Sequence, residues 1–311
     1  MTEELNFLYR GETLPFRALN RKGELRWIAS NDSGSLSAMT RFAPPSKPFP
    51  KLLLKSMSLV DFRLPETLNQ SISINISKEF LSKISERLKI PIANIGIYVG
   101  EPNEYQKLVI TDISGKSKTV MKVAVGTKAD KSITRELSGG ETAKKHPYWK
   151  DKTPKITSTE NILGHTAILV EKIEGQQLSP KEFKKKYISN YAISDAGEIS
   201  IQEWLNSNYD LNKPQLQELL ERCENVNALS LNSSQNFIHG DFAPWNTIQS
   251  SKVMFIDLEY SHAYAPVIID LAYAVWCYET LLKKHICHFA PEMIEKLVAL
   301  GALWEEIRKD G

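Results

Sequence analysis

The sequence predicts an α+β chain, rich in strands before about residue 172 and helical after it. Three apolar runs of strand length follow one another between residues 95 and 125. From residue 179 to 231, and again beyond residue 270, apolar residues recur every three or four positions, the period of an α-helix. The composition agrees, since 42% of the 311 residues are apolar and 24% charged, an ordinary folded balance rather than a disordered chain or a coiled coil. That length accommodates one large domain or two smaller ones.

A formal net charge of +2 gives no global reason to expect nucleic acid as a partner. Cys223, Cys277 and Cys287 are odd in number and not paired in spacing, so a reducing compartment is expected, with the cytoplasm as the default. Met1-Thr2-Glu3-Glu4-Leu5 lacks the basic flank and apolar stretch of a signal peptide. No apolar run approaches the roughly 18 residues that a membrane span requires, so no transmembrane segment is expected.

Taken in order, residues 1–76 read as an amino-terminal extension that contains strands. Phe16–Asn20 and Leu25–Ala29 flank Arg21-Lys22-Gly23-Glu24, which suggests a hairpin with a glycine turn. Residues 31–37 and 44–50 carry the turn formers of loops, and residues 50–55 suggest another short strand. Lys47, Lys51 and Lys55 read as a solvated surface. Residues 77–172 form the next region. Ser77 caps a helix to about Lys89 that presents Phe80, Leu81, Ile84 and Leu88 on one face, and Pro91 stops it. Ile95–Val99, Lys107–Thr111 and Thr119–Val125 are three successive strands. Residues 131–146 are polar and helical, with Gly139-Gly140 expected to break or start the helix near Gly140. Ala167–Glu171 is a further strand. Residues 173–311 form a helical region, whose faces include Ile201, Trp204 and Leu205, then Leu216, Leu219, Leu220 and Cys223, and finally Met293, Ile294, Leu297, Leu300 and Leu303.

The chemistry concentrates in residues 237–259. Phe237-Ile238 leads into His239-Gly240-Asp241, Asn246 follows, and the apolar run Val253–Ile256 delivers Asp257 and then Glu259. A carboxylate that can receive a hydroxyl proton, followed by hard oxygen donors for Mg²⁺, is what phosphoryl transfer requires of a protein. Asp241 suits the first role, and Asn246 and Asp257 suit the second. Glu259, two residues on, is a candidate for the same metal.

His239-Gly240-Asp241-Phe242-Ala243-Pro244-Trp245-Asn246 with Phe255-Ile256-Asp257-Leu258-Glu259 resembles the aminoglycoside phosphotransferase and choline kinase families. The resemblance spans about residues 90–280. It implies a bilobal protein-kinase-like fold, with a small antiparallel-sheet lobe over 77–172 and a helical lobe over 173–311. It also implies ATP and Mg²⁺ and a small-molecule hydroxyl acceptor. Lys122, alone as a cation in an apolar strand, matches the strand lysine that contacts nucleotide phosphates. Its acidic partner would be Glu141, whose spacing is similar to that family's glutamate, with Glu136 as the alternative. Gly100 opens the connection at the place of the phosphate-covering loop, although that loop has fewer glycines than protein kinases use. Backbone groups from Glu171 to Ile173 would hold adenine. His239 and Asp270 would brace the catalytic loop.

For the acceptor, sugars rank first, then aminoglycosides, then choline-like amines. The aromatics Tyr260, Tyr264, Tyr273, Trp276 and Tyr278 could cage a quaternary ammonium or simply fill a core. His285-Ile286-Cys287-His288 lacks a second ligand pair and is discounted as a metal site. Two other readings stand behind the kinase: a catalytically silent nucleotide-binding protein, and a protein kinase, whose Asp-Phe-Gly and Ala-Pro-Glu segments this sequence lacks. The preference between ATP and GTP and the oligomeric state are left open.

Overall fold

Alternating apolar residues build one large antiparallel sheet, and amphipathic helices build a separate helical core. The computed structural model describes residues 3–21, 24–30, 71–189 and 199–310. The chain divides into two units, residues 1–134 with 155–172, and residues 135–154 with 173–311. The loops and strand expected over residues 31–55 lie outside the described residues, as does the hairpin's Lys22-Gly23.

In the first unit the strands are β1 (Thr13–Arg21), β2 (Glu24–Ser30), β3 (Ser71–Ser77), β4 (Ile95–Val99), β5 (Lys107–Asp112), β6 (Thr119–Ala124), β7 (Ile156–Ile162) and β8 (His165–Glu171). They form a single sheet in the order β3-β1-β2-β4-β5-β6-β8-β7, antiparallel at every pairing. The strands of residues 13–30 and 71–77, which the sequence placed in a strand-containing extension, pair into this sheet, because β2 pairs with β4 through Trp27↔Tyr98 and Ile28↔Ile97.

One sheet face carries Phe16, Ile28, Ile76, Ile97, Leu108, Ile110, Met121 and Val123 into a core with helix α1 (Lys78–Leu88). Helix α1 buries Phe80, Leu81, Ile84 and Leu88, and Ser77 Oγ accepts from Phe80 N at 3.4 Å, as the capping pattern required. Side chains alternate along a strand, so Lys122 lies on the face opposite Met121 and Val123. There its register partners are Val109 on β5 and Ile168 on β8. A smaller core on Ala124, Ala129, Ile133, Ile168 and Val170 shares this region of the sheet.

Helix α2 runs unbroken over Ala129–Lys145, through the glycine pair expected to interrupt it. Packing accounts for the difference. A Cβ on Gly139 would lie 2.2 Å from Ser261 Oγ and 2.7 Å from the Leu258 carbonyl oxygen, so Gly139 lets the helix cross closely over that segment. The second unit continues with β9 (Gln176–Gln177), α3 (Pro180–Phe183), β10 (Ile199–Ser200), α4 (Ile201–Asn208), α5 (Pro214–Asn225), β11 (Asn232–Ser233), β12 (Gln235–Ile238), β13 (Thr247–Gln249), β14 (Val253–Phe255), β15 (His262–Pro266), α6 (Ile268–Trp276) and α7 (Pro291–Asp310). Its main core joins α4 and α5 to α6 and α7 through Trp204, Leu205, Leu216, Cys223, Tyr273, Leu300, Leu303 and Trp304.

A second, aromatic core carries the strands on either side of the 239–246 loop. Trp149 meets Phe237 and Phe255 with ring centres 5.3 and 5.0 Å apart, and Phe242 stacks on Phe255 at 5.4 Å. The three cysteines are free, with Cys223 and Cys277 buried and Cys287 exposed. Among the described residues no helix is long and apolar enough to cross a membrane.

Candidate active site

The loop between β12 and β13 is held in place by buried side chains from α6 and α7. Asp270, near the start of α6, is buried and accepts from two successive backbone amides, His239 N at 2.8 Å and Gly240 N at 2.8 Å. A carboxylate with one N–H on each oxygen fixes the loop's direction as well as its position. Burial pushes the Asp270 carboxyl up to about 7, the two amides pull it down, and the neighbouring charge of Asp241 pushes it up again.

His239 is fully buried. Burial holds its pKa below the ordinary imidazole value, and the charges of Asp241 and Asp257 work against that. Nε2 lies 2.8 Å from the Ile256 carbonyl, and Nδ1 receives the Asp241 backbone N–H at 3.2 Å. Those partners assign a neutral ring with its proton on Nε2. Both contacts are to backbone, so His239 braces the two segments that carry Asp241 and Asp257.

Gly240 adopts φ +75°, and a Cβ there would lie 1.9 Å from the Tyr260 carbonyl oxygen. Only glycine combines that left-handed conformation with that close approach. Trp304 Nε1 donates to the Gly240 carbonyl at 2.6 Å, so α7 also holds the loop.

Asn246 is buried and donates from Nδ2 to the Asp241 carbonyl at 3.0 Å. That bond fixes the amide so that Oδ1 is the atom left to act as a ligand. Its own carbonyl accepts from Ile256 N at 3.0 Å, and Asp257 follows in a left-handed conformation, φ +63°. Non-glycine residues adopt this conformation rarely, and Asp is one of the few that tolerate it. Glu259 lies two residues beyond, half-buried. One amide oxygen and two carboxylates from adjacent segments are the hard donors that suit Mg²⁺, which also keeps water or phosphate oxygens. Among the described residues no three His, Cys, Asp or Glu side chains cluster as a self-sufficient metal site.

Arg308, in the last turns of α7, was not legible as a site residue. Its Nη1 lies 3.3 Å from Asp241 Oδ2, with side-chain exposures of only 12% and 14%. Nε donates to Glu305 at 2.6 Å and Nη2 to the Tyr273 hydroxyl at 2.6 Å. The guanidinium carbon sits 4.5 Å from the Tyr260 ring centre and 4.6 Å from that of Tyr273. Burial lowers the Arg308 pKa, but the charge of Asp241, then those of Tyr273 and Glu305, outweigh it and the net shift is upward. Asp241 Oδ1 and Arg308 Nη1 are both buried and have no hydrogen-bond partner among the described residues. Sixty-seven positions separate the pair (308 − 241), and no local pattern marks a lone arginine at the end of an amphipathic helix.

The aromatics that follow β14 have separate fates. Tyr273 and Tyr278 are buried core, Tyr264 is 79% exposed, and Tyr260 and Tyr273 present their faces to Arg308.

The other residues expected at the nucleotide have partners or burial as follows. Gly100 N donates to the Lys107 carbonyl at 2.9 Å, so that amide already has an acceptor. The connection it opens is further tied down by Lys128 N to the Glu104 carbonyl at 2.7 Å and by the Lys128–Glu104 ion pair at 2.7 Å. Glu171 N and Lys172 N donate to the Lys155 and Lys118 carbonyls, at 2.8 Å each. Glu141 is exposed, whereas Glu136 is 2% exposed. Five helical positions place the two on different sides of α2.

No family model matches the sequence, and no curated protein does. Among solved structures the chain is similar to a choline kinase of Cryptosporidium parvum, with 12% identity over 73% of this chain and 88% of that one and a TM-score of 0.42. An ethanolamine kinase of Plasmodium vivax aligns at 15% identity over 86% and 88% of the two chains, TM-score 0.42. An ADP-bound aminoglycoside phosphotransferase aligns at 14% identity over 75% and 86%, TM-score 0.39. These likenesses are distant, and the chemistry below rests on the chain's own residues.

Proposed function

We propose that this protein is an ATP-dependent phosphotransferase that acts on a hydroxyl group of a small molecule. The observation that carries the reading is the linked loop. Asp241 and Asn246 are joined by a 3.0 Å hydrogen bond, Asn246 is joined in turn to the segment of Asp257, and Asp270 pins the loop by two amides. A carboxylate with one unpartnered oxygen beside ordered hard donors suits an in-line transfer, in which positioning supplies much of the rate.

In the reaction, the acceptor oxygen bonds to the γ-phosphorus as the bond from that phosphorus to the β-bridging oxygen breaks and ADP leaves. The hydroxyl proton passes to the Asp241 carboxylate. Asp257, the Asn246 amide oxygen and Glu259 would hold Mg²⁺, which neutralises phosphate charge when bound. Lys122 would supply a cation to the phosphates, with Glu141 or Glu136 as its acidic partner, and of these two Glu136 is the buried one. The three free thiols fit a reducing compartment, and we assign the cytoplasm.

Asp241→Ala should lower kcat by about 10²–10⁴-fold with KM for ATP nearly unchanged, as for loss of a proton acceptor. An ADP-release assay with calorimetry of MgATP binding measures both. Wild-type protein that neither binds MgATP nor releases ADP with any hydroxyl compound rejects the reading. A silent nucleotide-binding protein is the alternative, favoured by the committed Gly100 amide, and MgATP binding without turnover would select it.

A further inference from the structure

Beside the 239–246 loop lies a cavity of about 360 Å³, within the size range of small-molecule sites. It is formed wholly by the second unit. His146, Tyr148 and Trp149 enter it from the segment after α2, Tyr187 from the turn after α3, and Phe237 from β12. Phe242 of the loop and the start of α6 complete the wall. Asp241, Asn246, Asp257 and Glu259 are not among its lining residues, so it is separate from the site proposed for phosphoryl transfer. Five of the lining side chains are aromatic. The Tyr187 ring centre is 5.5 Å from that of Phe242, and Trp149 is 5.3 Å from Phe237. Rings at such separations attract one another edge-on or offset, and a flat apolar ligand gains the same contacts.

The mouth of the cavity adds a charge requirement. Tyr148 is 48% exposed, so it marks where the cavity meets solvent, and Lys152 Nζ rests 3.1 Å from the centre of its ring. An ammonium therefore stands at the opening. The stretches that carry the lining, residues 141–152, 179–189, 235–242 and 267–276, contain eight lysines and five carboxylates. Two of those carboxylates already have partners: Asp241 faces Arg308 at 3.3 Å, and Asp270 accepts two loop amides at 2.8 Å each. A cationic ligand would meet surplus positive charge here, and an anion would meet its complement. His146 does not supply the anchor. Its Nδ1 receives the Tyr148 N–H at 3.2 Å and its Nε2 faces Asn236 Oδ1, so both ring nitrogens are engaged. Burial, and then the neighbouring Tyr148, hold the Tyr187 hydroxyl above the ordinary phenol pKa, so it keeps its proton and can donate to a carboxylate.

We infer that this cavity binds a small aromatic carboxylate, with its ring among Trp149, Tyr187, Phe237 and Phe242 and its carboxylate at Lys152. Phe242 follows Asp241 in the loop, and Asp270 pins that loop, so the ligand rests against two of the groups that hold Asp241 in place. The site stands whether or not the chain transfers phosphate.

The test is calorimetry of the full chain, without nucleotide and at neutral pH, against indole-3-acetate, indole and tryptamine. The three share one ring system and carry a negative charge, no charge and a positive charge. Indole-3-acetate should bind about tenfold more tightly than indole, as for a hydrogen bond to a charged group, and tryptamine more weakly than either. Lys152→Met keeps the aliphatic stem and loses the charge, while the backbone bond from Phe255 N to the residue-152 carbonyl is retained. It should weaken indole-3-acetate about tenfold and leave indole within about twofold. Val267→Phe adds a ring to the wall and should abolish binding of both. Tryptamine binding as tightly as indole-3-acetate overturns the inference, as does failure of all three probes to bind. A folded Lys152→Met or Val267→Phe variant that titrates as wild type overturns it too. Should Val267→Phe not fold, the three probes and Lys152→Met decide. MgATP binding and ADP release are measured apart from these titrations, so either reading can fail without the other.

Discussion

Asp270 shows what a single buried carboxylate can determine. Its oxygens accept from two consecutive amides, and removing it would leave two buried N–H groups without partners, each costing about 1–3 kcal/mol. Its pH behaviour is testable. Burial raises the folded-state pKa to about 7, above the ordinary carboxyl value of 3.8, so the folded state binds the proton more readily than the unfolded chain does. The stability from that group is fully present below about pH 4 and lost as pH rises through about 7. Ionised Asp270 accepts both amides, however, so loop geometry, and with it turnover, should improve over the same range. We expect the melting temperature to fall and kcat to rise between pH 5.5 and 8.5, and Asp270→Asn to flatten both trends. Parallel rather than opposed trends would show that another group governs the profile.

At the level of elements, α2 is the instructive case. Its propensity at Gly139-Gly140 is poor, since each glycine costs about 1 kcal/mol in a helix interior, yet the helix continues. Tertiary contact decides, because the helix approaches the segment that follows Asp257 to within a distance that a Cβ would violate. Gly139→Ala should therefore destabilise the protein by about 1–3 kcal/mol despite alanine's better helix propensity. It should also raise the Mg²⁺ concentration needed for half-maximal activity, as Leu258 and Ser261 are displaced. Ser261→Gly on the same background removes the 2.2 Å clash but not the 2.7 Å approach to the Leu258 carbonyl, so rescue should be partial. A Gly139→Ala variant as stable as wild type, by thermal denaturation, would refute this account of Gly139.

For the whole molecule, chain order and structural unit do not coincide. Residues 135–154 belong with the carboxy-terminal residues although they precede the last strands of the sheet, and strands from the first thirty residues lie in the same sheet as β4–β8. Binding to the folded state alone raises stability by RT ln(1 + [L]/Kd), about 2.7 kcal/mol at a hundredfold excess over Kd. We expect ATP to raise the melting temperature when Mg²⁺ is present and much less when EDTA has removed it. Equal shifts in both conditions would argue against the oxygen donors at Asn246, Asp257 and Glu259 as the metal site.

The sequence by itself determined the elements whose information is local. The α1 face and its Ser77 cap, the strands of residues 95–125, and the His239–Asn246 loop with Asp257 depend on residue types at short fixed spacings. Periodicity and capping report such spacings directly. Tertiary structure decided what depends on residues far apart in sequence: the enlargement of the sheet by β1–β3, the continuity of α2, the burial of Glu136 rather than Glu141, and above all Arg308. An arginine in the last turn of an amphipathic helix reads as a helix-end charge. Packing of α7 against α6 and the 239–246 loop brings its guanidinium to Asp241 and within 4.6 Å of two tyrosine ring centres, and an encounter set by packing leaves no signature in local sequence.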